Sequence, residues 1–473
     1  MRTSGTAIAA ALLKEAAPST IGDIRLGQVQ HQSSKRQKSA LPTSLQFTAD
    51  YERLERSYGV SGKPIEVNFR KLVPLYSGVD RATHLVHSYP AKLLLNIPLF
   101  FLNCSQLHTK DGNLLDPFCG TGTVLVEALL AGWRAVGADV NPLARLIAQV
   151  KVTSINEAMV LNAYETICAR YRTADPIAFS PVMDVDRWFS PSVKKSLGRL
   201  LRTIREISDD DTRRFLEVCF SSCVRRVSFA DPRLSVPVRL KSTHSEGSHS
   251  KPVHVKKLFE DTVRVNMVRL RRLATVDPSL LKYVCILDDA RKLGTPPSVD
   301  AHTDLIITSP PYAGAQKYIR SSSLSLGWLG LAPEDRLRNL ERLTIGREHF
   351  SKSEYSSLHD PGVPSARRAL HRIWAINPLR AHIAATYLLE MKDALTKACA
   401  RLRKGGHLVL VIGNNSVCGA PFRNNVYLRE ILETLGLTLR LELIDDIRSR
   451  GLMTKRNTTA AVISREHICV FLK

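Results

Sequence analysis

Apolar residues in this chain fall into short runs that stop abruptly at polar or turn-forming residues. Leu114-Leu115 runs into Asp116-Pro117-Phe118-Cys119-Gly120-Thr121-Gly122-Thr123, and apolar positions resume over 124–131. This pattern predicts a strand end, a glycine-bearing loop and a helix. Glycines let backbone approach a ligand closely, and a helix N-terminus offers unpaired N–H groups. Residues 134–142, Arg-Ala-Val-Gly-Ala-Asp-Val-Asn-Pro, predict a second short strand that ends in the acid Asp139. Further on, Asp304-Leu305-Ile306-Ile307 stops at Thr308-Ser309-Pro310-Pro311-Tyr312. The two prolines lock φ and remove two backbone donors, which leaves carbonyls and the Ser309 hydroxyl as acceptors beside an aromatic ring. Such a wall suits a flat group with an exocyclic amine, stacked on the tyrosine.

The same patterning divides the rest of the chain. Residues 1–45, rich in Ala, Ser, Gln and Lys, are expected to form a disordered tail. Helices are expected at 48–58 and at 89–101, and 46–150 forms the first part of a core. A basic, mostly helical insertion follows at 151–280. Within it, 186–190 opens a helix, 221–241 passes from helix into an extended, proline-punctuated segment, and 241–250 is polar and loop-like. The core returns at 281–319. A second insertion, 320–380, holds Arg320, Trp328, Arg367, Arg368 and Trp374, and 381–473 completes the sheet. There is no internal repeat.

Composition narrows the class of protein. At 473 residues the chain is long for one compact domain, so a core with insertions is expected. Apolar residues make up 44%, enough for a buried core, and no run of 18 apolar residues suggests a membrane span. The nine cysteines are odd in number and lack C-x-x-C pairs, which points to reduced thiols in a cytoplasmic protein and to no metal. Cys219 and Cys223 have the spacing of helical core neighbours. No Pro-Cys dipeptide occurs, so the cysteine setting used to methylate ring carbon 5 of cytosine is missing. The net charge of +23 points to a polyanion. Residues 191–272 carry 19 lysines and arginines against nine acids, a local net of +10. Phosphate contact explains such a cluster, and Arg225, Arg226, Arg233, Arg239 and Lys241 are its candidate residues.

Strand, glycine loop, helix, strand and terminal acid together make a nucleotide-type site, with Asp139 placed to accept both ribose hydroxyls. Gly120 and Gly122 alone do not meet the dinucleotide fingerprint. Taken with S-P-P-Y, however, the D-P-F-C-G-T-G stretch resembles the S-adenosylmethionine-dependent DNA amino-methyltransferases. The serine in S-P-P-Y resembles the subset that acts on the N4 amine of cytosine. His87-Ser88-Tyr89-Pro90-Ala91-Lys92 resembles the segment that closes over the methionine end of the cofactor. Ile286-Leu287-Asp288-Asp289-Ala290-Arg291 resembles the acidic turn that reads its adenine amine, and 405–413 resembles a late strand of the sheet.

The resemblance implies an α/β fold: a Rossmann-like seven-stranded methyltransferase sheet with helical insertions forming a DNA-facing lobe. It implies S-adenosyl-L-methionine held by Tyr89, Lys92, Asp116, Pro117, Phe118, Gly120, Gly122, Thr123, Asp139, Asp288 and Asp289. It further implies a target base held by Ser309, Pro310, Pro311 and Tyr312, and double-stranded DNA as partner, with a cognate restriction nuclease as a potential second one. Adenine N6 methylation, guanine N2 methylation in RNA and a non-catalytic DNA-binding role remain open alternatives.

Overall fold

The computed structural model describes residues 44–75, 81–90, 92–109, 111–180, 182–240, 254–293, 302–314, 318–332, 336–447 and 463–473. The expected tail at 1–43, Lys241 and the polar stretch 241–250 lie outside the described residues. Ser44 and Leu45, assigned to the tail by composition, instead begin the helix Ser44–Ser61, which is longer than the 48–58 expected.

Ten strands are described: β1 (Ile65–Val67), β2 (Asn113–Asp116), β3 (Arg134–Ala138), β4 (Cys285–Leu287), β5 (Thr303–Thr308), β6 (Leu402–Gly413), β7 (Asn415–Val417), β8 (Ala420–Phe422), β9 (Thr438–Asp446) and β10 (Arg465–Leu472). Eight form one sheet in the order β1-β9-β10-β6-β5-β2-β3-β4, and β7 and β8 make a separate hairpin. Within the sheet only β10 runs antiparallel to its neighbours, β6 and β9. The sheet thus has one strand more than expected. The addition is the three-residue β1, paired to the edge of β9.

Both faces of the sheet are covered, which is why its central strands read as unbroken apolar runs. In β6, Val409 and Val411 join one core cluster, while Leu408, Leu410 and Ile412 join the other. The chain places β2 in the middle and moves outward through β3 and β4. It then returns to the other side of β2 as β5. Strand order therefore reverses between β2 and β5, and the crevice beyond their C-terminal ends is where an open α/β sheet binds ligands.

The insertions are built from capped helices. Ser190 caps Pro191–Arg205 through Val193 N–H, with proline at the first helical position, where its missing donor costs nothing. Asp209 caps Asp210–Val224 in the same manner. The helix Tyr318–Leu329 packs on Asp210–Val224, and Trp328 is buried edge-on against Phe179, Phe189 and Phe220. The start of the second insertion therefore belongs to the core of the first, and Trp328 has no free face for a nucleic acid. Cys219 and Cys223 are fully buried in this core, as their spacing predicts. The helix expected at 89–101 begins later, at Asn96.

Candidate active site

At the β2–β5 crevice the two sequence motifs meet. Asp116, the last residue of β2, accepts a 2.7 Å hydrogen bond from the Thr308 hydroxyl, the last residue of β5. One hydrogen bond across the reversal point thus joins the glycine loop to the S-P-P-Y loop. Around it opens a cleft of about 2070 Å3, lined by the glycine loop, the 87–92 segment, the S-P-P-Y loop and the basic segment of the insertion.

The glycine loop is folded by backbone donors that converge on carboxylates. Asp116 also accepts from Phe118 N–H at 3.1 Å. Asp139, directly after β3, accepts from Gly120 N–H at 3.1 Å and from Asn141 N–H at 2.8 Å. Both bonds to Asp116 fall on Oδ1, whereas Asp139 takes one on each oxygen, so each Asp139 oxygen keeps a further lone pair for a ligand hydroxyl. Burial pushes the Asp116 carboxyl up to about 7 and the Asp139 carboxyl up to about 6. Gly120 and Gly122 both have positive φ, +50° and +76°, conformations that L side chains avoid. They differ in what they face. Nothing lies within 4 Å of a side chain built at Gly120, so the loop backbone is bare towards the cleft. At Gly122 a side chain would press on Ala148 at 3.1 Å. Gly122 does not border the cleft and packs the loop against the helix Pro142–Lys151.

The 81–92 segment is tied over the loop from the side. Glu127, buried in the helix Thr123–Leu130, takes a two-pronged bond from Arg81 at 2.9 Å and a 2.8 Å contact from His84. Tyr89 lines the cleft, and its hydroxyl accepts from Asn141 Nδ2 at 2.8 Å. Lys92 also borders the cleft but donates to the carbonyls of His84 and His87, at 3.1 and 2.8 Å. It holds its own segment together. Burial lowers its ammonium to about 8. Of the acidic pair, Asp289 lines the cleft with its carboxylate engaged by Arg291, whereas Asp288 is exposed and outside the lining.

The target-side loop cannot fold in this way, because Pro310 and Pro311 have no N–H to donate. It is held from outside. Thr308 is fixed by Asp116, the Tyr312 hydroxyl donates to Glu466 Oε1 of β10 at 2.9 Å, and the Ala313 carbonyl accepts from Asn415 Nδ2 at 3.0 Å. Gly413, ending β6, lies under the Tyr312 ring; a side chain there would meet the ring at 3.3 Å and Ile463 at 2.6 Å. Ser309, Pro310, Pro311 and Tyr312 all border the cleft. Glu466 and Asn415 were missed from the sequence, although two Asn-Asn pairs, at 414–415 and 424–425, stand out after β6.

The basic candidates separate. Arg225 is half-buried, and its guanidinium donates to the carbonyls of Asp231, Leu234 and Ser235, so it braces the following turn and is not available to a phosphate. Arg226 is exposed on the cleft and has no hydrogen-bond or ion-pair partner among the described residues. Arg233 is exposed but paired with Asp231 at 2.6 Å. Arg239 is exposed and lies 5.4 Å over the Phe229 ring.

Comparisons with known proteins find similarity to methyltransferases. The RMKL-like methyltransferase domain model of UPF0020 matches residues 85–170, the stretch that holds the glycine loop and Asp139. S-adenosylmethionine is the methyl donor that such a domain and fold take, and the bare Gly120 backbone and the two carboxylates fit it. Among curated proteins the chain is 28% identical to "Type II methyltransferase M.MvaI" of Kocuria varians, over 60% of this chain and 66% of that protein. It is 22% identical to "Type II methyltransferase M.BsoBI" of Geobacillus stearothermophilus, over 67% and 66%. It is 43% identical to "tRNA (guanine(10)-N2)-dimethyltransferase" of Methanothermobacter thermautotrophicus, over only 11% and 16%. The chain thus spans 66% of the length of the first two relatives. Among the described residues, no helix is long and apolar enough to cross a membrane.

Proposed function

We propose that this protein is a DNA methyltransferase that transfers a methyl group from S-adenosylmethionine to the exocyclic N4 amine of cytosine, in a restriction-modification or related DNA-marking role. The observation that carries the reading is the Thr308–Asp116 bond, which sets the acceptor-rich S-P-P-Y loop beside a glycine loop of methyltransferase type. Similarity to two type II methyltransferases supports DNA as the substrate.

The chemistry follows from the residues. The amine lone pair of cytosine is delocalised into the ring. Donation of its protons to Ser309 Oγ and the Pro310 carbonyl localises that pair and points it at the donor methyl, so positioning and electrostatics supply the rate. The base leaves the duplex stack to reach the loop, and the Tyr312 ring replaces the lost neighbour. Asp139 holds the ribose hydroxyls of the donor, the backbone from Asp116 to Gly120 faces its methionine part, and the Asp289–Ala290 turn borders the space for its adenine. Arg226, Arg233 and Arg239 meet phosphates. The short match to a transfer-RNA guanine-N2 enzyme favours one second reading, methylation of an exocyclic amine in RNA. Incubation with labelled S-adenosylmethionine and either DNA or transfer RNA, followed by mass spectrometry of the nucleosides, tests both. N4-methylcytosine from DNA is expected; label only on adenine N6 would move the target base, and label only in RNA would overturn the DNA assignment.

A further inference from the structure

The S-P-P-Y loop is braced by a polar system built on residues after β6. Residues 413–425 fold back as the β7–β8 hairpin and bring the two Asn-Asn pairs together. Asn424, fully buried, donates through Nδ2 to the Gly413 carbonyl at 2.8 Å and to Asn415 Oδ1 at 3.2 Å. Because Asn415 Oδ1 is engaged, its amide nitrogen faces the other way, onto the Ala313 carbonyl at 3.0 Å. A second layer lies behind. Asn425 N–H donates to Asn414 Oδ1 at 3.1 Å, and Asn425 Nδ2 donates to Glu442 Oε1 at 3.0 Å. His467 sits between Asn414 and Glu442, at 3.1 and 2.8 Å. The network is partly buried, its asparagine amide nitrogens all donate, and of its buried side-chain atoms Asn424 Oδ1 and Asn425 Oδ1 alone lack a partner among the described residues. Such linked hydrogen bonds hold their members in one arrangement.

We infer that Asn415 is a positioning residue for methyl transfer: oriented by Asn424, it fixes the Ala313 carbonyl and with it the Ser309–Tyr312 acceptor wall. The need is specific to this loop. Two successive prolines leave it without the backbone donors that order the glycine loop, so a side-chain donor from elsewhere must supply the restraint. Asn415 lines the cleft next to Tyr312 and stands on the β7–β8 hairpin. The inference rests on the reading of S-P-P-Y as the target-base loop.

The test is Asn415→Asp, which keeps the side-chain shape and the acceptor for Asn424 but sets a second acceptor against the Ala313 carbonyl. Single-turnover transfer from tritiated S-adenosylmethionine to duplex DNA should slow roughly ten- to hundred-fold, the scale of a small misplacement at a reacting centre. Dissociation constants for S-adenosylmethionine and for DNA should stay at wild-type values, and the melting temperature within about 3 °C. Combined with Ser309→Ala, the loss should be smaller than the product of the two single losses, because both act on one amine geometry. If Asn415→Asp fails to fold, Asn415→Ala is read in the same assays. A wild-type transfer rate, a rate loss matched by weakened binding of both ligands, or fully multiplicative losses would each overturn the inference. Failure of the underlying reading looks different: the wild type itself then labels no nucleic acid. If it labels RNA instead, the same variants are compared on that acceptor.

Discussion

The two loops that meet at the crevice solve one problem in opposite ways. The glycine loop is ordered from within. Its N–H groups donate to Asp116 and Asp139, which stand 2 and 19 residues from their donors, and positive φ at two glycines makes the turn possible. The target loop has given up its donors to two prolines and is ordered from without, by side chains 192, 154 and 102 residues away. A ligand with its own hydroxyls and amines is met by acceptors and bare backbone at the first loop. On the proposed function, an amine that must be made nucleophilic meets rigid acceptors at the second. Local order suits binding, and imposed rigidity suits chemistry.

The largest effect that would test this contrast is expected at Tyr312. Tyr312→Ala removes the stacking face and the anchor to Glu466. Stacking is worth about 1–3 kcal/mol per base, so methylation should fall roughly ten- to hundred-fold. Filter binding and calorimetry should find DNA and cofactor affinities nearly native. A native rate would show the loop to be a structural turn.

Asp139→Ala comes next and should act on the other side of the contrast. Unpaired ligand donors cost about 1–3 kcal/mol, so the cofactor dissociation constant should rise by about ten-fold or more while DNA retention persists. Native cofactor affinity in calorimetry would remove Asp139 from the site.

A pH titration sharpens the same point. Burial raises Asp139 to about 6, and ligand hydroxyls donate to the ionised carboxylate, so cofactor affinity should increase as pH rises through that value. Binding measured across this range should lose that step in Asp139→Asn. A step that survives the substitution belongs to another group.

The smallest effect concerns the two adjacent arginines. Arg226→Ala should weaken DNA binding and reduce its salt slope by about one phosphate, since Arg226 is exposed on the cleft and has no partner among the described residues. Arg225→Ala should leave the salt slope alone and lower the melting temperature, because its guanidinium holds three carbonyls of the following turn. Equal salt slopes in the two variants would erase the distinction.

The sequence by itself determined the fold class, the position of the glycine loop, Asp139 at a strand end, and the S-P-P-Y wall. All of these depend on neighbours a few residues apart, where apolar runs, glycines and prolines act through local sterics. It also placed Cys219 and Cys223 in a core, because helical spacing is local. Tertiary structure decided what those residues do. Gly120 and Gly122 look alike in sequence, yet only Gly120 is bare to the cleft, because Ala148 happens to pack on the other. Arg225 and Arg226 are neighbours, yet one turns inward to carbonyls and the other outward. Trp328, which the sequence placed only within the second insertion, fills the core of the helical lobe. Lys92 is taken up by two carbonyls of its own segment. The restraints on the target loop, Glu466 and Asn415, come from strands and a hairpin more than 100 residues downstream. No periodicity records such pairings, since a hydrogen bond between distant residues exists only once the sheet has brought them together.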